Sequence, residues 1–162
     1  MLIIIDGIHL FGLCRKLMDG HIHYGFGSKT ALSSRPEDIT SIDCSGFVRY
    51  LMYQASSAAL RMPDGSVVQN EWCGHQQLPL VNYRDAARHD QLIRIAFLPP
   101  HHGHAGHVWL IHQGRTLESH GGKGPDRRIW NTPVLIGGVT QCYELAIVPF
   151  VRDFTLPQYT YA

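Results

Sequence analysis

The sequence predicts an α+β protein in which N-terminal helices pack on one face of an antiparallel β-sheet. Apolar residues recur at helical spacing in the first third of the chain, whereas short apolar runs separated by turn residues fill the second half. Helices followed by antiparallel strands are the order expected of an α+β domain. With 162 residues, 44% of them apolar and 17% charged, the chain suits one globular domain spanning residues 1–162.

Two helices are predicted ahead of the sheet. Asp6 is the expected N-cap of the first, whose apolar positions continue at helical spacing as far as Gly20. Residues 20–41 are rich in Gly, Ser, His and Pro, which indicates a loop. The second helix is predicted to begin at Cys44 and to continue to about Leu60, with an apolar face along its length.

The strands are predicted after a mixed segment, residues 61–90, in which a short helix over residues 83–89 is one option. That segment lies between the second helix and the sheet, where it can form one wall of a cleft. Predicted strands cover residues 92–98, 107–111, 115–119, 129–132 and 143–151. The second and third of these strands flank a Gln-Gly turn and should form a hairpin. Residues 121–125, rich in glycine, are predicted as a loop.

Composition and charge exclude several classes of partner. The net charge of +1 gives no basic surface for nucleic acid and no polybasic patch for a membrane. No run approaches the roughly 18 apolar residues that a membrane span needs. The apolar start, residues 1–6, is too short for a signal peptide, so we expect a chain that is cytoplasmic as synthesised. Delivery to a cell wall by a non-classical route or a phage particle stays open.

A cysteine and a histidine stand where a thiol hydrolase needs them. Cys44 opens a predicted helix, whose N-terminal N–H groups and dipole favour a thiolate. His107 lies 107 − 44 = 63 residues later and opens a predicted strand. An imidazole beside the sulfur can take the thiol proton and later protonate a leaving amine. The plainer alternative is a buried structural cysteine and an unrelated histidine.

Three blocks of sequence make the hydrolase interpretation specific. They read D-C-S-G-F-V at residues 43–48, G-H-V and an apolar run at residues 106–111, and Y-G-F-G at residues 24–27. In residue type, order and spacing these blocks resemble the NlpC family of cell-wall cysteine peptidases, over roughly residues 6–150. The resemblance implies a papain-like fold, no cofactor, and peptidoglycan fragments or muropeptides as substrates. The bond that it implies is the amide between D-glutamate and the following diamino acid.

The resemblance also implies roles for individual residues. Cys44 would be the nucleophile and His107 the general base. Tyr24, Asp43 and Ser45 would touch the substrate and help to hold its amine end. A carboxylate suits that task because it can accept a charge-assisted hydrogen bond from a cationic amine. The simpler interpretation of Asp43 is an N-cap of the helix.

The third catalytic residue is where this chain departs from the family pattern, which has a histidine on the strand after the His107 strand. Aligning the hairpins puts Glu118 at that position. His120 lies two residues further on and would therefore point to the same face of the strand. A carboxylate on the far ring nitrogen would fix the tautomer and stabilise the imidazolium. The sequence thus favours Glu118, with His120 as a close alternative.

Other patterns indicate rival functions more weakly. Four histidines within residues 101–107 can attract a metal ion, yet no H-E-x-x-H or C-x-x-C pattern supports a site, so no metal is expected. Residues 121–124 lack a full phosphate-loop pattern. Arg127 and Arg128 are interpreted as a solvated face, with attraction for a substrate carboxylate as the alternative. An acyltransferase using the same Cys and His, and a non-catalytic binding module, remain the competing functions.

Overall fold

The computed structural model describes residues 3–82, 84–130 and 141–148. Within them the α+β class is evident. The helices are α1 (Gly7–Asp19), α2 (Cys44–Ala55) and α3 (Ser66–His75), with a 3-10 turn at Pro36–Asp38. The strands are β1 (Ile4–Asp6), β2 (Leu80–Val81), β3 (Leu92–Leu98), β4 (His107–His112), β5 (Arg115–His120), β6 (Gly124–Asp126) and β7 (Gln141–Val148). No helix in these ranges is long and apolar enough to cross a bilayer.

The strands form one mixed sheet in the order β1-β7-β3-β4-β5-β6, and β2 also pairs with β7. Strands β3 to β6 form an antiparallel meander, and the chain then returns so that β7 pairs with the free side of β3. The predicted hairpin of β4 and β5 is confirmed by the pair Leu110↔Leu117. Strand β1 runs parallel to β7, a pairing that the sequence did not predict because three residues are too few to show a period of two.

The alternation of strand side chains separates two apolar clusters. The larger cluster joins α1 and α2 to one face of the sheet, where strand residues such as Ile95, Val108 and Leu145 are buried. The opposite face carries a smaller cluster that includes Ala96, Trp109 and Trp130. The sheet is therefore held between a thick helical layer and a thinner cover.

The first helix follows the prediction, whereas the second is shorter than predicted. Asp6 caps α1 by accepting a hydrogen bond from the His9 N–H at 3.0 Å. Helix α2 ends at Ala55, about five residues before the predicted end. Ser57 and Ala58 have φ values of 51° and 67°, which stop the helix. The apolar alanines beyond Ala55 continued the helical pattern without continuing the helix.

The segment between α2 and β3 was the least well predicted. Helix α3 was missed because only Gln69 and Cys73 are buried along it, which leaves almost no apolar period to detect. Residues 84–87 form turns instead of the suggested helix. Strand β6 begins within the predicted 121–125 loop, and Ile129 makes only an isolated bridge to Arg115. Residue 83 of the suggested helix and the predicted strand residues 131–132 and 149–151 lie outside the described residues.

Candidate active site

Cys44 is the first residue of α2, and the loop before it fixes its position. The Asp43 N–H donates to the Ser28 carbonyl at 2.9 Å, and the Asp43 carboxylate caps the helix by accepting the Gly46 N–H at 2.7 Å. A Cβ on Gly46 would meet that carboxylate at 2.9 Å, so the cap requires glycine there. The thiol is thus held at the end of the helix where unpaired N–H groups point outward. Cys44 is only 7% exposed.

His107 opens β4 at the same end of the sheet. A Cβ on the preceding Gly106 would lie 2.9 Å from the Ser66 hydroxyl and 3.0 Å from the Leu98 carbonyl, so this close approach also requires glycine. The imidazole stacks on Trp109 with ring centroids 5.2 Å apart. Its Nε2 lies 2.9 Å from a carboxylate oxygen of Glu118 on β5. Packing and this hydrogen bond together set the orientation of the ring.

Cys44 and Glu118 hold the imidazole from opposite sides. Burial lowers the pKa of His107, but side-chain hydrogen bonds and charges from Cys44 and Glu118 outweigh it and raise that pKa to about 9. Because Glu118 takes Nε2, the ring nitrogen left for the sulfur is Nδ1. At neutral pH the site therefore holds an imidazolium that faces the sulfur through one N–H and a carboxylate through the other.

Glu118 is fully buried and remains ionised. The Arg128 guanidinium binds both of its oxygens, with Nε–H donating to Oε2 at 3.0 Å and Nη2–H donating to Oε1 at 2.6 Å. Burial raises the pKa of Glu118, yet hydrogen bonds from His107, Arg128 and Thr116 lower it to about 2. The interpretation of Arg128 as a solvated side chain is therefore wrong. A buried glutamate needs a cation beside it. That requirement of Glu118 is the only signal that could have indicated a role for Arg128.

His120, the alternative third residue, lies elsewhere. Its Nε2 is 2.8 Å from Asp126 and its Nδ1 is 3.0 Å from the Gly121 carbonyl. Of the two residues proposed from the sequence, Glu118 is the one that touches His107. His120 points to the same side of β5 as Glu118. Its ring contacts Asp126 on the neighbouring strand β6, where Asp126 is the residue paired with Glu118.

Replacing Glu118 by Gln should lower the pKa of His107 from about 9 towards its ordinary value of 6.5. A neutral amide stabilises the imidazolium less than a carboxylate, and the unopposed Arg128 cation would also repel it. An NMR titration of the His107 ring protons measures the change. Asp126→Asn is the matched control, since it removes the carboxylate beside His120 and should leave the His107 titration in place. Equal shifts in both variants would contradict the coupling.

Tyr24 presents a neutral hydroxyl to the sulfur. Burial, the charges of Cys44 and Asp43, and a side-chain hydrogen bond with Cys44 raise the pKa of Tyr24 to about 12. Its loop packs tightly, since a Cβ on the adjacent Gly25 would lie 2.5 Å from the Ser41 hydroxyl. The hydroxyl can thus donate to the sulfur, or to an oxygen bound beside it.

Asp43 and Ser45 are engaged by a lysine that sequence analysis missed. The Lys29 ammonium lies 2.5 Å from Asp43 Oδ2 and donates to the Ser45 hydroxyl at 2.7 Å. Ser45 in turn lies 3.2 Å from Asp43 Oδ1. The Asp43 side chain is only 8% exposed, and such a buried carboxylate needs a cation. Nothing in the separation of 43 − 29 = 14 residues indicates which lysine supplies it.

An open cleft of about 300 Å³ lies in front of these residues. Tyr24, Lys29 and Cys44 line one part of it, and the start of α3 lines another through the half-exposed Val67 and Val68. The mixed segment after α2 therefore does form a wall of the cleft. The arrangement combines a thiol at a helix start, an imidazole, a buried carboxylate and a partly apolar cleft surface.

The histidine-rich loop before β4 is separate from this constellation. His101, His102 and His104 are exposed, and the His101 and His104 rings lie 5.8 Å apart. In the parts of the chain that the structure describes, no group of three or more His, Cys, Asp or Glu residues is arranged to hold a metal ion.

Solved structures share this fold. The P60 domain of an antigen from M. avium subspecies paratuberculosis superposes with a TM-score of 0.52 at 20% identity, covering 83% of this chain and 93% of that one. An NLP/P60 family protein similar to a lipoprotein, from Staphylococcus aureus, superposes with a TM-score of 0.53 at 13% identity. That match covers 88% of this chain and 42% of that one. No protein-family model and no curated protein matches the sequence. The chain has an NlpC/P60-like fold, which confirms the predicted papain-like α+β class.

Proposed function

We propose that this protein is a cysteine hydrolase that cuts an amide bond in peptidoglycan stem peptides, between D-glutamate and the following diamino acid. The observation that carries the proposal is the continuous set of contacts from Cys44 through His107 to the buried Glu118 at an open cleft. The fold and the three sequence blocks support the choice of substrate, since both resemble cell-wall peptidases. No cofactor takes part in this chemistry.

The first half-reaction forms an acyl-enzyme. The Cys44 thiolate attacks the amide carbonyl, which forms a C–S bond and pushes an electron pair onto the oxygen. The Tyr24 hydroxyl and an N–H group at the start of α2 lie beside the sulfur and can donate to that oxyanion. The His107 imidazolium then protonates the amine nitrogen, the C–N bond breaks, and the amine leaves. His107 is left neutral.

The second half-reaction regenerates the enzyme. Neutral His107 takes a proton from a water molecule, whose oxygen attacks the thioester carbon. The C–S bond breaks, the acid product leaves, and the Cys44 thiolate again faces the His107 imidazolium. One amide and one water become one carboxylic acid and one amine.

Glu118 and Arg128 act through His107 and are positioning residues in this proposal. The carboxylate binds the ring nitrogen away from the sulfur, which fixes the tautomer in the neutral state and stabilises the charged state. Arg128 holds that carboxylate through a two-point contact, which limits its rotation. The fully buried Glu118 then forms a rigid support for a ring that must change charge twice in each turnover.

Digestion of purified muropeptides, read by mass spectrometry, tests the proposal. We expect two fragments that together gain one water, with the new amine on the diamino acid and the new carboxylate on D-glutamate. Protein whose Cys44 has been alkylated with iodoacetamide should give neither fragment. Cleavage at another stem-peptide bond would overturn the assigned bond, and no cleavage by folded, unalkylated protein would overturn the proposed substrate.

A further inference from the structure

Lys29 is a cation beside the nucleophile that the proposed reaction does not use. It lies in the loop that leads to α2, lines the cleft, and has a side chain that is 27% exposed. Its ammonium touches both Asp43 and Ser45, two of the three residues that the resemblance assigns to the amine end of a substrate. A positive charge therefore already occupies the place where a substrate amine would be expected.

Both oxygens of the Asp43 carboxylate are engaged within the protein. Its Oδ1 accepts the helix-capping bond from Gly46 N–H and lies within reach of Ser45, while its Oδ2 binds Lys29. The charges of Lys29 and Asp43 cancel. A second ammonium brought to this place would meet a like charge and find no free carboxylate oxygen, which makes its binding unfavourable.

The cleft therefore offers a hydrogen-bond donor where the family pattern offers an acceptor. An ammonium carries three N–H donors. Two of those of Lys29 go to Asp43 and Ser45, which leaves one for the cleft that the partly exposed side chain lines. A carbonyl oxygen accepts a hydrogen bond from such a donor, whereas a protonated amine has no acceptor to offer.

We infer that Lys29 sets the specificity of this site for a peptide whose N-terminal amine is already acylated. The carbonyl oxygen of that acyl group accepts the third Lys29 hydrogen bond. This inference rests on the proposed function and narrows it from stem peptides in general to those that carry an acyl group on the amine. Free-amine peptides become the disfavoured substrates.

Kinetics on two matched substrates test the inference. A stem tripeptide whose N-terminal amine is free is compared with the same tripeptide acetylated on its N-terminal amine. The wild type should favour the acetylated form in kcat/KM by roughly tenfold or more, the size expected of one hydrogen bond to a charged group. Lys29→Met should reverse the preference, because Asp43 is then free to bind the amine. Lys16→Met, on the exposed surface of α1, is the matched control and should keep the wild-type ratio.

Two further variants show whether a changed preference comes from Asp43 binding the amine, from the loss of the Lys29 charge alone, or from misfolding. Asp43→Asn retains a cap oxygen for α2 but no charge, so adding it to Lys29→Met should abolish the gained preference for the free amine. Lys29→Gln removes the charge and retains two donors, and it replaces Lys29→Met if the latter is unfolded by circular dichroism. An unchanged substrate ratio in folded Lys29 variants would overturn the inference.

Labelling of Cys44 tests the charge that Lys29 and Asp43 present at the cleft, and it does not require any peptide to be cut. A cationic and an anionic methanethiosulfonate reagent compete for the thiol, and the ratio of their rates is read by mass spectrometry. Lys29→Met should raise the cationic-to-anionic ratio by roughly tenfold, and Asp43→Asn added to it should remove the gain. If stem peptides are not cut but this ratio changes as stated, the proposed function fails and the role of Lys29 stands. If peptides are cut and the ratio stays constant, the role of Lys29 fails.

Discussion

Replacing Cys44 by alanine is expected to abolish hydrolysis, with a loss in kcat on the order of 10⁴-fold or more. The variant keeps the helix cap, because Asp43 still accepts the Gly46 N–H, and it removes only a side chain at the cleft. No other cysteine can replace the missing sulfur, since Cys14, Cys73 and Cys142 are fully buried. Initial rates on muropeptides at equal protein concentration measure the loss.

Cys73→Ala is the matched control for this result. Burial raises the pKa of Cys73 to about 12, so its thiol is neutral at working pH and faces the core. The variant should retain wild-type kcat and lose a small amount of stability through the missing sulfur. Activity retained in Cys44→Ala, or lost equally in folded Cys73→Ala, would contradict the assignment of the nucleophile.

Replacing Gly124 by alanine should lower the free energy of unfolding by about 3 kcal/mol. Gly124 opens β6 with φ at +94°, a backbone conformation that costs a residue with a Cβ about 1–2 kcal/mol. Its Cβ would also collide with the Ile22 carbonyl oxygen and approach the Tyr24 nitrogen to 3.3 Å. Backbone cannot yield as a flexible side chain can, so overpacking adds about 1–3 kcal/mol. Urea unfolding monitored by fluorescence measures the change.

Gly122→Ala is the control that separates the cost of backbone strain from the cost of the collision between the new Cβ and the Ile22 carbonyl oxygen. Gly122 has φ at +83° in the turn just before β6, but a Cβ there meets nothing within 4 Å. Its cost should be about 1 kcal/mol, from backbone strain alone. Gly124→Ala should also slow catalysis because the displaced backbone carries Tyr24, whereas Gly122→Ala should not. Similar losses of stability in the two variants would rule out the collision.

The parts of the fold that the sequence predicted correctly are those with local signals. The Asp6 cap of α1, the start of α2 at Cys44 and the β4–β5 hairpin each follow from residues that are adjacent in the chain. Strand β1 and helix α3 escaped prediction because the first is very short and the second is polar on most of its surface. Their place is set by tertiary contacts, which a hydrophobic period does not reveal.

The same distinction applies to the candidate site. The motifs indicated Cys44 and His107, and the geometry of a strand reduced the third residue to Glu118 or His120. Choosing between those two required knowing that Asp126 lies beside His120. Arg128 and Lys29 were not recognised because each is paired through the folded backbone with a carboxylate 10 or 14 residues away. A sequence shows that a buried acid needs a cation, but not which cation will reach it.

The pairing of β1 with β7 has a consequence for how the chain folds. Ile4 and Ala146 are partners across 146 − 4 = 142 residues, and β7 also covers the edge of β3. Contacts so distant in sequence carry a large loop-closure entropy and slow the search for the native state. During synthesis the central strand β3 therefore keeps one edge open until β7 has left the ribosome. Nascent chains stalled before residue 141 should expose that edge to chaperones and should lack the completed sheet that supports His107.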